Sequence, residues 1–391
     1  MSGNVDVGYR AIDVSNISSA KNAKFITHNN ASTSTIGITA VEDLGSGMKA
    51  MFQGNADFAP SKNALQNGST TNNAFNYSGA FFNSEIYGGL SGAFGDVKLG
   101  VPNSPALVAA NMSNPFGTAL GGGYSDTFGR LGTNAGVGIN GYAGQATTAR
   151  IIRHERAIVY TTPTMNGLSA QYEISFKNGN ANGGVANAVT NGTNATGNNN
   201  GLASLSLKYN QGPVNAMFYS GELTGAANAA AGTISSAGAI TASTIKPNNK
   251  VKYTIASANY TAGAATIYAG ITSTKSNSTG TVAAASFTAT DISDKEDSKS
   301  TNFAFKYAVS PQLDVMANRL TRTSNLTADA ILLPNGNATL TGIGADYKLS
   351  KMTSTYYRYE KAANVAVHGS TATTSLYGNQ TIQALGLRVQ F

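Results

Sequence analysis

The last eleven residues read Thr381-Ile-Gln-Ala-Leu-Gly-Leu-Arg-Val-Gln-Phe391. In an extended chain Leu385, Leu387, Val389 and Phe391 fall on one face, and Ala384, Gly386, Arg388 and Gln390 on the other. Period-two alternation is the signature of a strand with one apolar and one polar side. The stretch stops on an aromatic ring, which suits a strand whose end sits in the interfacial aromatic girdle of a bilayer. The apolar side then faces lipid and the polar side an interior.

Composition agrees with that reading. Of 391 residues only 12% are Asp, Glu, Lys or Arg, about half the share usual in soluble domains. Gly is abundant at 44. No run of about 18 apolar residues occurs, which excludes a membrane-spanning helix. A barrel carries its lipid signal spread over alternating strands. A β-rich solenoid or a secreted adhesin fits the composition too, but a solenoid requires a constant repeat and none is visible. The absence of cysteine excludes disulfides and thiolate metal sites. The net charge of +7 is scattered, with no basic block interleaved with aromatics, so a nucleic-acid partner is not indicated. In a pore the same excess biases the lumen toward anions. Met1-Ser-Gly-Asn-Val-Asp-Val lacks the basic-then-apolar pattern of a signal peptide. The expectation is a mature sequence, with Met1 added for expression.

Working back from the end, strand-like stretches alternate with short and long connections. Short turns fall at 43–47, 91–95, 163–167, 210–213, 261–263, 310–311 and 350–351. Between them the connections are long and rich in Asn, Gly, Ser and Thr. The pattern predicts sixteen strands, from Val5–Ile12 to Thr381–Phe391, with seven short turns and eight long loops. Alternation of this kind gathers all long loops at one end of an antiparallel barrel. Tyr160, Tyr172, Tyr209, Tyr260, Tyr307 and Tyr347 recur near short turns, as an aromatic girdle at the periplasmic interface does. The fold expectation is therefore all-β: one barrel domain over 1–391, transmembrane and antiparallel, with Phe391 at the seam of closure.

One loop differs. The connection over about 101–150 is the longest and carries Leu107, Val108, Phe116, Leu120, Tyr124, Phe128, Leu131, Val137, Ile139 and Tyr142. Apolar groups need cover, and the lumen supplies it. This third long loop is expected to fold inward and narrow the channel. The charged tract Asp291–Ser300 reads instead as a solvated loop tip.

Alternation also sorts the charges. Arg10, Lys98, Lys177, Lys208, Lys306, Lys348, Arg358 and Arg388 fall inside, with Arg153 beside them. Glu155, Glu173, Asp346 and Glu360 are the matching acids. Bases outnumber acids, which predicts weak anion selectivity. Arg10, Lys98, Arg153 and Arg358 are the candidates for the constriction, opposite Asp126 and Arg130, with Glu155 and Lys306 lining the pore. His28, His154 and His368 have no metal-ligand spacing, and no nucleophile elbow, phosphate loop or paired-carboxylate pattern occurs. Neither an enzyme nor a cofactor is expected. A rival, a substrate-selective channel on the same fold, needs a ladder of aromatics; Tyr219, Tyr268 and Tyr356 are its candidates.

Taken together, Glu42-Asp-Leu-Gly-Ser-Gly-Met-Lys-Ala50, Leu90-Ser-Gly-Ala-Phe-Gly-Asp-Val-Lys-Leu-Gly100, Arg153–Tyr160 with Pro163, and Gly386-Leu-Arg-Val-Gln-Phe391 resemble the general porins of Gram-negative bacteria, in their β-proteobacterial form. The resemblance runs through the chain in order. It implies a homotrimer of sixteen-stranded barrels in the outer membrane, passing small hydrophilic solutes passively. It also implies a constriction formed by the third loop against basic residues of the wall. Three features depart from the family pattern. Val101-Pro102 stands where the family has Arg, Ser84-Glu85 where it has Arg-Gln, and Asp126 is the loop's single acid between Val101 and Arg150.

Overall fold

The first strand, Ser2–Ser15, lies antiparallel to the last, Tyr377–Gln390, in register from Asn4 opposite Gln390 to Ser15 opposite Asn379. Beyond that ladder Gly3 and Phe391 exchange two backbone hydrogen bonds, at 2.7 and 3.0 Å. The computed structural model describes residues 1–15, 22–61, 64–65, 81–117, 119–121, 123, 153–154, 156–176, 201–225, 244–245, 249–283, 288–327, 337–366 and 377–391. Neighbouring strands pair antiparallel all the way round, so the sheet closes on itself. In hydrocarbon an unpaired strand edge costs several kcal/mol per polar group, and closure removes the edge.

Among the described residues nineteen strand segments build a wall of sixteen strands. Ala23–His28 and Thr35–Gly45 are one wall strand, since both pair with the first strand. Ala64–Leu65 is a short turn-back on Met48–Ala59, ahead of Ile86–Gly92. Thr244–Ile245 pairs with Ala265–Ala283 above the end of Asn249–Ala262. The short turns lie where Gly and Asn spacing places them. Gly45, Ser46 and Gly47 all have positive φ, a backbone state that glycine adopts without penalty.

Burial is inverted relative to a soluble protein. On Leu313–Thr327 the even residues Asp314, Met316, Asn318, Leu320 and Arg322 are buried, and they face the lumen. The lipid-facing residues Leu90, Leu99, Leu205, Phe218, Ile271, Phe303 and Leu385 are exposed apolar groups. Tyr172, Tyr209, Tyr260, Tyr307 and Tyr347 are exposed on this outer side, and Tyr160 shares it. Lys252, Lys275, Lys299, Arg319 and Lys361 also point outward. On Thr288–Ala308 the outward order is Tyr307, Phe305, Phe303, Thr301, Lys299, so the cation follows the last large apolar side chain. A Lys or Arg at the bilayer midplane costs about 2–4 kcal/mol and close to nothing at the interface. These five side chains therefore mark the rim of the apolar belt on the long-loop side.

Two sequence expectations need correction. The tract Asp291–Ser300 is not a loop tip: its backbone belongs to Thr288–Ala308 and continues the ladder with Ala265–Ala283 past the belt. Hydrogen bonds to a long neighbouring strand override the poor strand propensity of Asp, Lys and Ser. The alternation that places Arg153 beside the lumenal bases extends the strand ahead of the 163–167 turn back to Arg153, but that strand is only Ala157–Thr161. Arg156 has φ 56°, and this left-handed residue breaks the alternation that assigned Arg153 a side.

At the seam the Phe391 ring lies over Gly3, where a Cβ would overlap it. The ring and its two backbone bonds join the ends of the sheet. Deleting Phe391 is expected to lower the yield of folded barrel on refolding into lipid vesicles severalfold. The reversal potential of the channels that do insert should stay unchanged. Normal yield with altered selectivity would place Phe391 in the filter instead.

Candidate functional site: the inward loop and the lumenal charge rows

The third long loop leaves the wall after Gly95–Val101. Asn103 meets Arg153 in an isolated β-bridge and gives its backbone N–H (2.9 Å) and side-chain amide (3.0 Å) to the Glu85 carboxylate. Arg153 Nε donates to Asn103 Oδ1 at 2.7 Å. Ser104 then caps a helix, Pro105–Met112, accepting from the Ala106 N–H, with Pro105 at the first helical position. Both choices suit a helix start: Ser satisfies a free N–H and Pro has none to satisfy. The sequence reading missed this helix, although Ser104-Pro105 followed by an Ala/Leu run carried its signal. Ala106, Leu107, Ala109 and Ala110 bury against Leu202, Met217, Tyr219, Tyr253 and Ile255 on the inner wall. The lumen is thus apolar in one sector, which holds the loop.

Past the helix the chain follows the wall. Asn259 donates to the Met112 carbonyl at 3.1 Å, and Asn302 to the Ser113 carbonyl at 2.6 Å. Gly121 N–H donates to Glu360 Oε2 at 3.0 Å, and its carbonyl accepts from Asn318 at 3.2 Å. Leu120 N–H reaches the Asn30 carbonyl at 3.2 Å, beside Ile12, Ile382 and Ala384. The approach is close because the wall offers glycine there. A Cβ on Gly342 would overlap the Gly121 carbonyl, and one on Gly344 would meet the Phe116 ring.

Below the loop the wall charges fall into cross-strand rows. One lumenal row runs Lys306, Met316, Gly344, Arg358, Ala384, Arg10. The row below runs Asp314, Asp346, Tyr356. The next, toward the short turns, runs Lys348, Ser354, Arg388, Asp6. A row of carboxylates is therefore held between two rows of bases. Asp314 Oδ2 takes both Lys306 and Lys348 at 3.2 Å. Asp346 takes Arg358 at 2.7 Å and Arg388 at 3.9 Å. Four bases share two carboxylates, which leaves an excess of two positive charges among those six groups. Asp6 lies beside them, but its oxygens are taken by the Tyr356 hydroxyl and by the N–H groups of Ala31 and Ser32, both at 2.7 Å.

The constriction candidates fall in different surroundings. Arg10 donates to Asn30 Oδ1 at 2.8 Å and lies at the end of the upper base row. Arg358, 3% exposed, is covered by Phe116 of the loop, with its guanidinium 5.6 Å from that ring and 5.4 Å from Tyr356. Lys306 is 36% exposed in the same row. Lys98 lies on another sector of the wall, 4.7 Å from the Tyr87 ring. Arg153 sits at the root of the loop rather than in a wall strand. Asp126, Arg130, Glu155 and Lys177 lie outside the described residues. Lumenal Asp6 and Asp314 were missing from the expected set of acids, although alternation with Val5 and Val7, and with Leu313 and Val315, marked them. His154 and Glu173 form a buried pair at 2.9 Å. Among the described residues no three His, Cys, Asp or Glu gather to hold a metal ion. Of the three aromatics proposed for the rival channel, Tyr268 is half-buried. Tyr219 and Tyr356 are almost fully buried, one under the helix and one against Asp6.

Comparison with known proteins adds the family. The model for Gram-negative porins matches residues 1–366. Outer membrane porin protein 32 of Delftia acidovorans is 30% identical over 149 residues, which is 37% of this chain and about a third (35%) of that protein. An anion-selective porin from Comamonas acidovorans superposes over 100% of this chain and 98% of its own, with TM-score 0.70 and 20% identity. OmpT of Vibrio cholerae in its trimer form covers 100% and 99%, with TM-score 0.59 and 14% identity. With a closed sixteen-stranded wall, a charged lumen and an inward third loop, this chain belongs to the Gram-negative porin family.

Proposed function

We propose that the chain works as a homotrimeric general diffusion porin that passes small hydrophilic solutes and ions with a weak preference for anions. The observation that carries this reading is the sharing of Asp314 and Asp346 by Lys306, Lys348, Arg358 and Arg388. The two acids fix the bases without matching their charge. The local potential is positive along several strands of the lumen, and water-filled lumens with low-dielectric walls focus such a field. The preference is weak because Arg358 is covered and because Asp6 and Glu360 add negative charge nearby. The Comamonas porin is anion-selective and the Vibrio OmpT occurs as a trimer, which supports the same reading. General diffusion is favoured over a dedicated solute path by the burial of Tyr219 and Tyr356.

A planar-bilayer recording in a tenfold KCl gradient tests the reading. The reversal potential is expected on the chloride side, with closures in groups of three; clear potassium preference would overturn the anion assignment. A unit charge about 7 Å from a passing ion in water is worth about 0.6 kcal/mol. The same charge attracts chloride and repels potassium, so Lys306→Gln or Arg10→Gln should lower the chloride-to-potassium permeability ratio roughly sevenfold. Phe116→Ala should act in the opposite direction, since it uncovers the Arg358 guanidinium. The reversal potential should move further toward chloride, and single-channel conductance should rise as the ring leaves the lumen.

A further inference from the structure

The row nearest the short turns has a property that the general field does not use. Lys348, Ser354 and Arg388 stand side by side on three adjacent strands, all on the lumenal face. Adjacent strands are about 4.8 Å apart, so the outer two α-carbons are separated by about 10 Å. Long basic side chains can close that gap onto one small anion, with the small, buried Ser354 as the floor. The row lies on the short-turn side of the carboxylates, where Lys348 also donates to the Pro311 turn carbonyl at 3.5 Å.

Each base has donors to spare. Lys348 is 49% exposed and shares one carboxylate oxygen with Lys306. Among the described residues Arg388 makes one distant ion pair, 3.9 Å from Asp346. Its Nε–H is shielded from solvent and has no partner among the described residues. The acid opposite Arg388 in register, Asp6, accepts instead from the Tyr356 hydroxyl and from the backbone N–H groups of Ala31 and Ser32. A guanidinium offers a planar fork of donors that suits an oxyanion, and lysine adds a mobile point charge.

From this juxtaposition we propose that Lys348, Ser354 and Arg388 form an oxyanion-binding site at the periplasmic mouth of the channel. Its ligand is a small anion with two or more acidic oxygens, of the phosphate or dicarboxylate class. Chloride, a single-atom anion, cannot bridge the two bases in the same way. The site rests on the anion-preferring reading and refines it. It makes the channel a weak, saturable binder of oxyanions on the side where they enter from the periplasm.

The test is block of chloride current by inorganic phosphate, added at constant ionic strength to one side of oriented channels. Phosphate on the short-turn side is expected to block saturably, and at lower concentration than from the long-loop side. Lys348→Gln and Arg388→Gln should each weaken the block roughly tenfold, the scale of one lost charge-assisted hydrogen bond. Arg388→Lys should restore part of it. The control is Lys351→Gln, which removes the same charge from the exposed neighbouring turn and should leave the block unchanged. Equal weakening by Lys351→Gln would reduce the effect to mouth charge and overturn the site. So would block that is the same from both sides, or block that is absent while chloride preference persists. Loss of chloride preference in the unmodified channel would instead overturn the broader reading. Every variant is read on channels that conduct chloride, so a folding defect cannot imitate the result.

Discussion

A backbone that crosses hydrocarbon cannot leave its N–H and C=O groups unpaired. Everything in this chain follows from meeting that constraint with strands. The ladder between Ser2–Ser15 and Tyr377–Gln390 completes the circle, and Gly3 with Phe391 extends it by one more exchange of hydrogen bonds. Closure then fixes two surfaces of opposite character on each strand. One must be apolar for lipid; the other is released from that demand and can hold charge. Sixteen strands leave an interior too wide for wall side chains alone to fill. Part of the chain has to enter it, and the helix Pro105–Met112 with the segment after it does so.

The loop is therefore both filler and wall. Its helix is anchored by apolar contact with Met217, Tyr219, Tyr253 and Ile255. Its later part is anchored by polar contact, through Asn302, Asn318, Glu360 and Asn30. Glycine at 342 and 344 lets this backbone lie against the sheet. The interrupted second strand contributes as well. Residues 29–34 turn inward between its two pieces and bring Asn30 under the loop, while Asp6 ties that turn to the first strand. The open lumen is what remains beside these pieces, so the same contacts that stabilise the barrel set its cross-section.

Much of this was legible in the sequence because a strand's period is two. The face of each residue follows from its neighbours, and turn glycines mark where the period restarts. Arg10, Lys306, Arg358 and Arg388 could be assigned an inward direction from Tyr9, Phe305, Tyr357 and Leu387 beside them. The rows could not be assigned. That Lys306, Arg358 and Arg10 share one row depends on the stagger of five successive strand pairs, which hairpin turns set one by one. Sequence near a single residue carries no record of that sum. Arg153 shows the other limit: one left-handed residue, Arg156, ends the alternation on which its placement rested. The helix was legible through Ser104-Pro105, but a loop rich in Gly and Asn drew the reading toward irregular structure.

The sharing of acids by bases resolves a conflict built into such a lumen. Bare lysines and arginines would repel one another and wander, holding no defined field. One carboxylate per base would fix them but cancel their charge. Asp314 and Asp346, each between two bases from the rows above and below, fix four side chains and cancel half of the charge. Exposed pairs of this kind contribute about 0–1 kcal/mol each, so stability is not their principal effect. The pair of Arg358 and Asp346 is different: Arg358 is buried, and losing its carboxylate leaves a guanidinium shielded from water. That pair lies where Phe116 presses the loop against the wall. Position, rather than charge count, therefore decides which lumenal bases hold the loop and which are left to meet the permeating ion.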